Sequence, residues 1–176
     1  VPRTGPLPVS FAQQRLWFLE QMQQEGAVYN IPLAIQVQGF LDEAAFSQSF
    51  NALIERHEAL RTRFVTVEGQ PMQAVIAPAP IAIEPRDLRP LPPSEQEAEV
   101  RQQAIAAAQI RFDLTQAPLL RVTLLQLAEL ESVVLLTMHH IIADGWSMEV
   151  LLQELAWLYR AHLTGEIGRA SCRERV

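Results

Sequence analysis

Residues 132–163 read SVVLLTMHHIIADGWSMEVLLQELAWLYRAHL. The first part, Ser132 to Met138, is an apolar run of strand length, well short of the ~20 residues that a membrane-spanning helix needs. From Trp146 to Leu163 the period changes: Met148, Leu151, Leu152, Leu155 and Leu158 recur at helical spacing and make one face. A buried strand feeding a helix is the unit of an α/β fold. The junction between them, His139-His140-Ile141-Ile142-Ala143-Asp144-Gly145, is where open α/β sheets commonly place functional groups.

Working outward, the same alternation of elements continues. Leu119 to Leu127 is a second apolar run, expected beside Ser132–Met138 at the centre of the sheet. Ser94, with Glu95, Glu97 and Glu99 behind it, is expected to cap a helix reaching about Ile110, after a loop at Pro90, Pro92 and Pro93. Ile81 to Glu84 reads as a short strand. Phe64–Val67 and Met72–Ile76 flank Glu68-Gly69-Gln70-Pro71 and read as a hairpin. Asp42 opens a helix to about His57, with Phe46, Phe50, Leu53, Ile54 and His57 on one stripe. Leu33 to Gly39 alternates as a half-buried strand, and Val9 to Gln21 is a short amphipathic helix with Ser10 as N-cap. The order predicts a layered α/β arrangement around a mixed β-sheet, with no internal domain boundary.

Composition narrows the classes of function. Hydrophobic residues make up 49% of the 176 and charged residues 19%, enough for a globular core. The formal net charge of −6 argues against a nucleic-acid partner, which would select a basic surface. All 14 cationic side chains are Arg, so chemistry that needs a lysine, such as a Schiff base or P-loop, is excluded. The single cysteine, Cys172, excludes an internal disulfide and a cysteine-based zinc site. His57 and His162 stand alone in the sequence, so no metal site is expected. Val1 to Pro8 is Pro-rich without an apolar signal core, which predicts a cytoplasmic protein with no membrane association.

The His-His-x-x-x-Asp-Gly segment carries the chemistry. Neighbours on an extended chain point to opposite faces, so His139 and His140 are expected to divide: one towards the scaffold, one towards substrate. Histidine titrates near neutrality and can take a proton from an amine or hydroxyl nucleophile. Asp144 can fix a turn or pair with an arginine. Gly145 clears side-chain space where a reacting carbonyl would approach, and its amide opens the next helix, where developing negative charge is favoured. A lone His-His pair could instead serve only to hydrogen-bond nearby backbone.

Three further segments place the motif. Ser10-Phe11-Ala12-Gln13-Gln14-Arg15-Leu16-Trp17-Phe18-Leu19, Arg56-His57-Glu58-Ala59-Leu60-Arg61-Thr62-Arg63-Phe64, and Phe112-Asp113-Leu114 followed by Pro118-Leu119-Leu120-Arg121 lie in the order and spacing of one family. With His139–Gly145 they resemble the condensation domains of nonribosomal peptide synthetases over Pro6 to Gly165. The resemblance implies a chloramphenicol acetyltransferase-like fold with the site in a tunnel between two lobes. Of these, residues 1–165 would form the N-terminal lobe. It implies that the acceptor amine attacks the donor thioester, with both substrates carried on the phosphopantetheine arms of donor and acceptor peptidyl carrier domains. An adenylation domain would be adjacent, and no cofactor would be bound by the lobe itself. By the same resemblance His140 and Gly145 are the catalytic candidates. His139 and Asp144 support the site, and Arg61 is one candidate partner for Asp144. A lobe alone would be inactive. Other readings are another His-x-x-x-Asp-Gly acyltransferase and a non-catalytic carrier-docking domain. Gly145-Trp146-Ser147-Met148 departs from the epimerization pattern, and His139 from the cyclization one.

After Gly165 the composition shifts. Residues 166–176, EIGRASCRERV, contain three arginines and the only cysteine, and resemble a translated sequencing adapter. They are expected to be a non-native tail.

Overall fold

In the computed structural model, which describes residues 5–22 and 26–164, strand β7 (Glu131–His139) is the centre of the molecule. Every residue from Ser132 to His139 is buried. Before it in the chain come β1 (Leu7–Pro8), α1 (Phe11–Met22), β2 (Asn30–Gln38), α2 (Glu43–Arg56), a 3-10 turn (Glu58–Arg61), β3 (Thr62–Val67), β4 (Gln70–Val75), β5 (Pro85–Asp87), α3 (Pro93–Gln109) and β6 (Leu120–Ala128). After it comes α4 (Gly145–Thr164). The tail 166–176, with Cys172, lies outside the described residues.

Two sheets form. The larger has the order β2-β7-β6-β5. β2 and β6 run antiparallel to β7, with Leu33 and Val122 both opposite Leu136, while β5 runs parallel to β6, so the sheet is mixed as expected. Pro32 sits in β2 opposite Thr137, a tolerable place because β2 is an edge strand. The smaller sheet, β1-β4-β3, is a hairpin with a short third strand.

The period-2 rule decides what covers each face of β7. Val134, Leu136 and Met138 enter one cluster with Phe46, Phe50, Leu53 and Ile54 of α2 and Met148, Leu151 and Leu155 of α4. Val133 and Leu135 enter another with Leu88 and Leu125, backed by Val100 and Ala104 of α3. Helices therefore cover both faces of the sheet. Each fully buried Leu or Phe contributes roughly 1.5–3 kcal/mol. Asp42 caps α2 as the sequence predicts, its carboxylate accepting from the Ala45 N–H at 2.7 Å. Ser10 and Gln13 cap α1 reciprocally: each side chain accepts the other residue's backbone N–H.

Several expectations are corrected. Pro92, not Ser94, is the N-cap of α3; Pro93 takes the first helical position, where its missing N–H costs nothing, and Ser94 falls inside the helix. Ile81–Glu84 is not a strand. Pairing begins further along, at Pro85–Asp87, because that stretch lies alongside Leu124–Gln126. The β3–β4 turn is only Glu68-Gly69, both with positive φ (50° and 79°), which matches the right-handed twist of a tight hairpin and leaves Gln70 and Pro71 in β4. His57 leaves the buried stripe of α2. It is the C-cap, and its Nε2 meets Glu154 Oε2 of α4 at 2.6 Å.

Candidate active site

The motif begins where β7 runs out. The His139 N–H donates to the Leu119 carbonyl (3.1 Å) and the His140 N–H to the Tyr29 carbonyl (2.8 Å), so backbone from both sides of the sheet holds the pair. The chain then turns, with the Ile142 N–H donating to the His139 carbonyl at 3.1 Å. Ile141 plugs this turn into a third apolar cluster with Phe64, Phe112, Leu114 and Leu119, flanked by Leu16 and Trp17 of α1.

The two histidines part company here. His139 keeps the odd-numbered face of β7 and is 1% exposed. Its ring lies edge-on to Phe112, with centroids 6.1 Å apart, and tilted against Tyr29 at 6.2 Å. Its Nδ1 accepts the Ile141 N–H at 3.1 Å, which places the ring proton on Nε2. Burial holds its pKa below the ordinary histidine value, with Glu20 pulling the other way. We take the ring as neutral, because a protonated Nδ1 could not accept the Ile141 amide. His140, by contrast, is solvent-exposed.

Asp144 starts α4. Its carboxylate accepts the Ser147 N–H (2.8 Å) and hydroxyl (2.7 Å), and its carbonyl accepts the Met148 N–H (3.1 Å). The hydrogen bonds from Ser147 hold its pKa below the ordinary carboxylate value. Gly145 is the first residue of α4. A Cβ built there would meet nothing within 4 Å. Arg61 does not pair with Asp144. Its Nη1 donates to the Ile76 carbonyl at 2.8 Å and its Nη2 lies 3.9 Å from Glu58, so the end of β4 and the 3-10 turn hold it, while α4's own first turn occupies Asp144.

Beside the motif, a cavity of about 260 Å³ opens among Leu60, Met138, Ile142, Trp146, Val150 and Leu151, with His57 on its rim. Trp146 is 75% exposed there. A larger open groove of about 590 Å³ runs along α3 from Ser94 to Gln109 and shares no residue with the motif.

Two charged residues escaped the sequence reading. Glu20, on α1, is buried, and Arg111 donates to it across 91 positions of sequence. The only signal was an acid within an otherwise apolar helix end, which a surface helix shows as often. Among the described residues no group of His, Cys, Asp and Glu is arranged to hold a metal ion, and no helix is long and apolar enough to cross a membrane.

Comparison with known proteins bears on this geometry. The family model described as Condensation domain matches residues 4–170. A linear gramicidin synthase polypeptide from Brevibacillus parabrevis is 49% identical over 166 residues, covering 94% of this chain and 3% of the relative. Malpinin synthetase from Mortierella alpina is 44% identical over 166 residues, covering 94% of this chain and 2% of the relative. Among solved structures, the first condensation domain of the CDA synthetase superposes with a TM-score of 0.84 at 26% identity, covering 92% of this chain and 42% of that one. The starter condensation domain of rhizomide synthetase gives the same score and identity, covering 39% of that chain. This chain thus spans about two fifths of those solved domains and a few per cent of the curated relatives.

Proposed function

This chain belongs to the condensation domain family, and we propose that residues 1–165 are the N-terminal lobe of a domain that forms peptide bonds between carrier-tethered substrates. The relatives it matches are large synthetases, which supports donor and acceptor carrier domains, and a neighbouring adenylation domain, as its working partners. Both substrates would arrive as thioesters on phosphopantetheine arms, so the lobe needs no cofactor of its own.

The observation that carries the reading is the asymmetry of the histidine pair. One ring is sealed beneath the turn and the other is presented on it. In the reaction, the acceptor amine attacks the donor thioester carbonyl. The C–N bond forms, the C–S bond breaks, and the proton lost from the amine ends on the departing thiolate. His140 is the group available to accept that proton or to orient the amine that loses it. The Gly145 amide, opening α4, would favour the negative charge that develops on the carbonyl oxygen. His139 and Asp144 hold the two ends of the turn. Arg61 braces the end of β4 against the 3-10 turn, a supporting role without contact to Asp144.

The test is reconstitution. The complete domain, given two loaded carriers, is expected to give the condensed product on the acceptor carrier. The lobe alone is expected to give none, because the wall of the tunnel opposite His140 is absent. Condensation by residues 1–165 alone would overturn the lobe assignment. Efficient turnover of free coenzyme A thioesters with no carrier requirement would favour a stand-alone acyltransferase instead. Carrier binding without turnover would favour a docking domain.

A further inference from the structure

Glu20 is a carboxylate in an expensive place. Its side chain is 4% exposed, and an isolated buried carboxylate costs several kcal/mol, so something in the fold must compensate it. Arg111, in the segment between α3 and β6, donates Nε–H to Glu20 Oε1 at 2.8 Å and Nη2–H to the Glu20 carbonyl at 2.6 Å. The pair could rest there as a structural clip between α1 and that segment. Its other oxygen points to more. Glu20 Oε2 lies 3.7 Å from His139 Nε2, the ring nitrogen that bears the proton. That is too long for a hydrogen bond but within reach of charge acting on an N–H dipole. His139 Nε2 has no hydrogen-bond acceptor among the described residues, so Glu20 is the group that faces it.

The consequences run along covalent and hydrogen-bonded links. If the ring flipped or changed tautomer, Nδ1 could no longer accept the Ile141 N–H, and a buried amide would lose its partner. Ile141 is the apolar plug of the turn, one residue after His140. We propose that Glu20, held by Arg111, is a positioning residue for the site: it keeps the His139 ring in its Nε2–H tautomer and orientation, and the ring, through the Ile141 amide, keeps the turn that presents His140. The proposal rests on the reading of His140 given above.

The test uses the complete domain with both carriers loaded, the variants Glu20→Gln, Arg111→Met and the two combined, and imidazole nitrogen NMR of His139. In the parent, His139 should show a single Nε2–H tautomer. Glu20→Gln should lower kcat by about tenfold or more, the scale of losing an orienting partner, change KM by less than about twofold, and shift or split the His139 signals. The double variant leaves no unpaired buried charge, so it serves where the single one folds poorly. It should stay slow and keep the altered His139 signals. Wild-type kcat with unaltered His139 signals in Glu20→Gln would overturn the proposal. So would a double variant restored to wild-type kcat, since Glu20 would then serve only to neutralise Arg111. Failure of the underlying reading looks different: His140→Ala would then condense at the parental rate, whatever Glu20 does.

Discussion

Replacing His139 with alanine tests the scaffold role of the buried histidine apart from the chemistry proposed for the exposed one. The ring is 1% exposed and packs between Phe112 and Tyr29, so its removal leaves a hole of the kind that costs about 2–5 kcal/mol in large-to-small core substitutions. The same change strips the buried Ile141 N–H of its acceptor, about 1–3 kcal/mol more. The two losses overlap at one site and do not add in full, so about 4 kcal/mol is expected. His139→Asn has less volume but keeps an acceptor oxygen near the position of Nδ1, and should cost about 2 kcal/mol. Urea unfolding of the chain measures both. At about 2–4 °C per kcal/mol for this size, the alanine variant should melt roughly 10 °C lower. Equal losses in the two variants would refute the role given to the Nδ1 bond. An alanine variant within about 0.5 kcal/mol of the parent would refute the packing argument altogether.

Other consequences are measurable in the same way. Well above pH 6.5 His139 is neutral folded and unfolded; as pH falls through 6.5 the unfolded chain takes up the proton first, because burial lowers the folded pKa. Stability should therefore fall as pH drops below 6.5, by at most about 1.4 kcal/mol per pH unit from this group, and His139→Asn should remove that share of the slope in urea midpoints compared between about pH 7 and 5.5. Phe50→Ala should cost about 3–5 kcal/mol in equilibrium unfolding, since Phe50 is fully buried between α2 and the sheet. Gly69→Ala should cost about 1 kcal/mol, because its φ of 79° is strained for any side chain even though the space around it is open.

The parts of the fold that were legible in the sequence are those fixed by local periodicity. The α2 and α4 stripes, the apolar runs of β6 and β7 and the Asp42 cap each state their own geometry within one window of residues. What escaped depends on distant partners. β5 contains Pro85, Arg86 and Asp87, none of them strand formers, and is a strand because β6 offers it a parallel edge. Ser94 has the right chemistry for a cap, but Pro92 and Pro93 already set the backbone for the first turn. In the site, parity along an extended chain was enough to divide the histidines. Arg61 was a plausible partner for Asp144 by charge alone, yet Asp144 is satisfied within its own helix start. Glu20 and Arg111 carried no such local signal, because their meaning comes from His139, more than a hundred residues from Glu20 in the chain.

We assign the reacting amine to the exposed histidine and the turn beneath it to the buried one. The rate of peptide-bond formation on two loaded carriers, by the complete domain bearing His140→Ala, tests that division without intermediaries. A loss of about 10²–10⁴ is expected, the scale of acid–base or amine-orienting help, with folding stability within about 0.5 kcal/mol of the parent. A parental rate in His140→Ala would remove His140 from the chemistry and leave the histidine pair a purely structural feature of the turn.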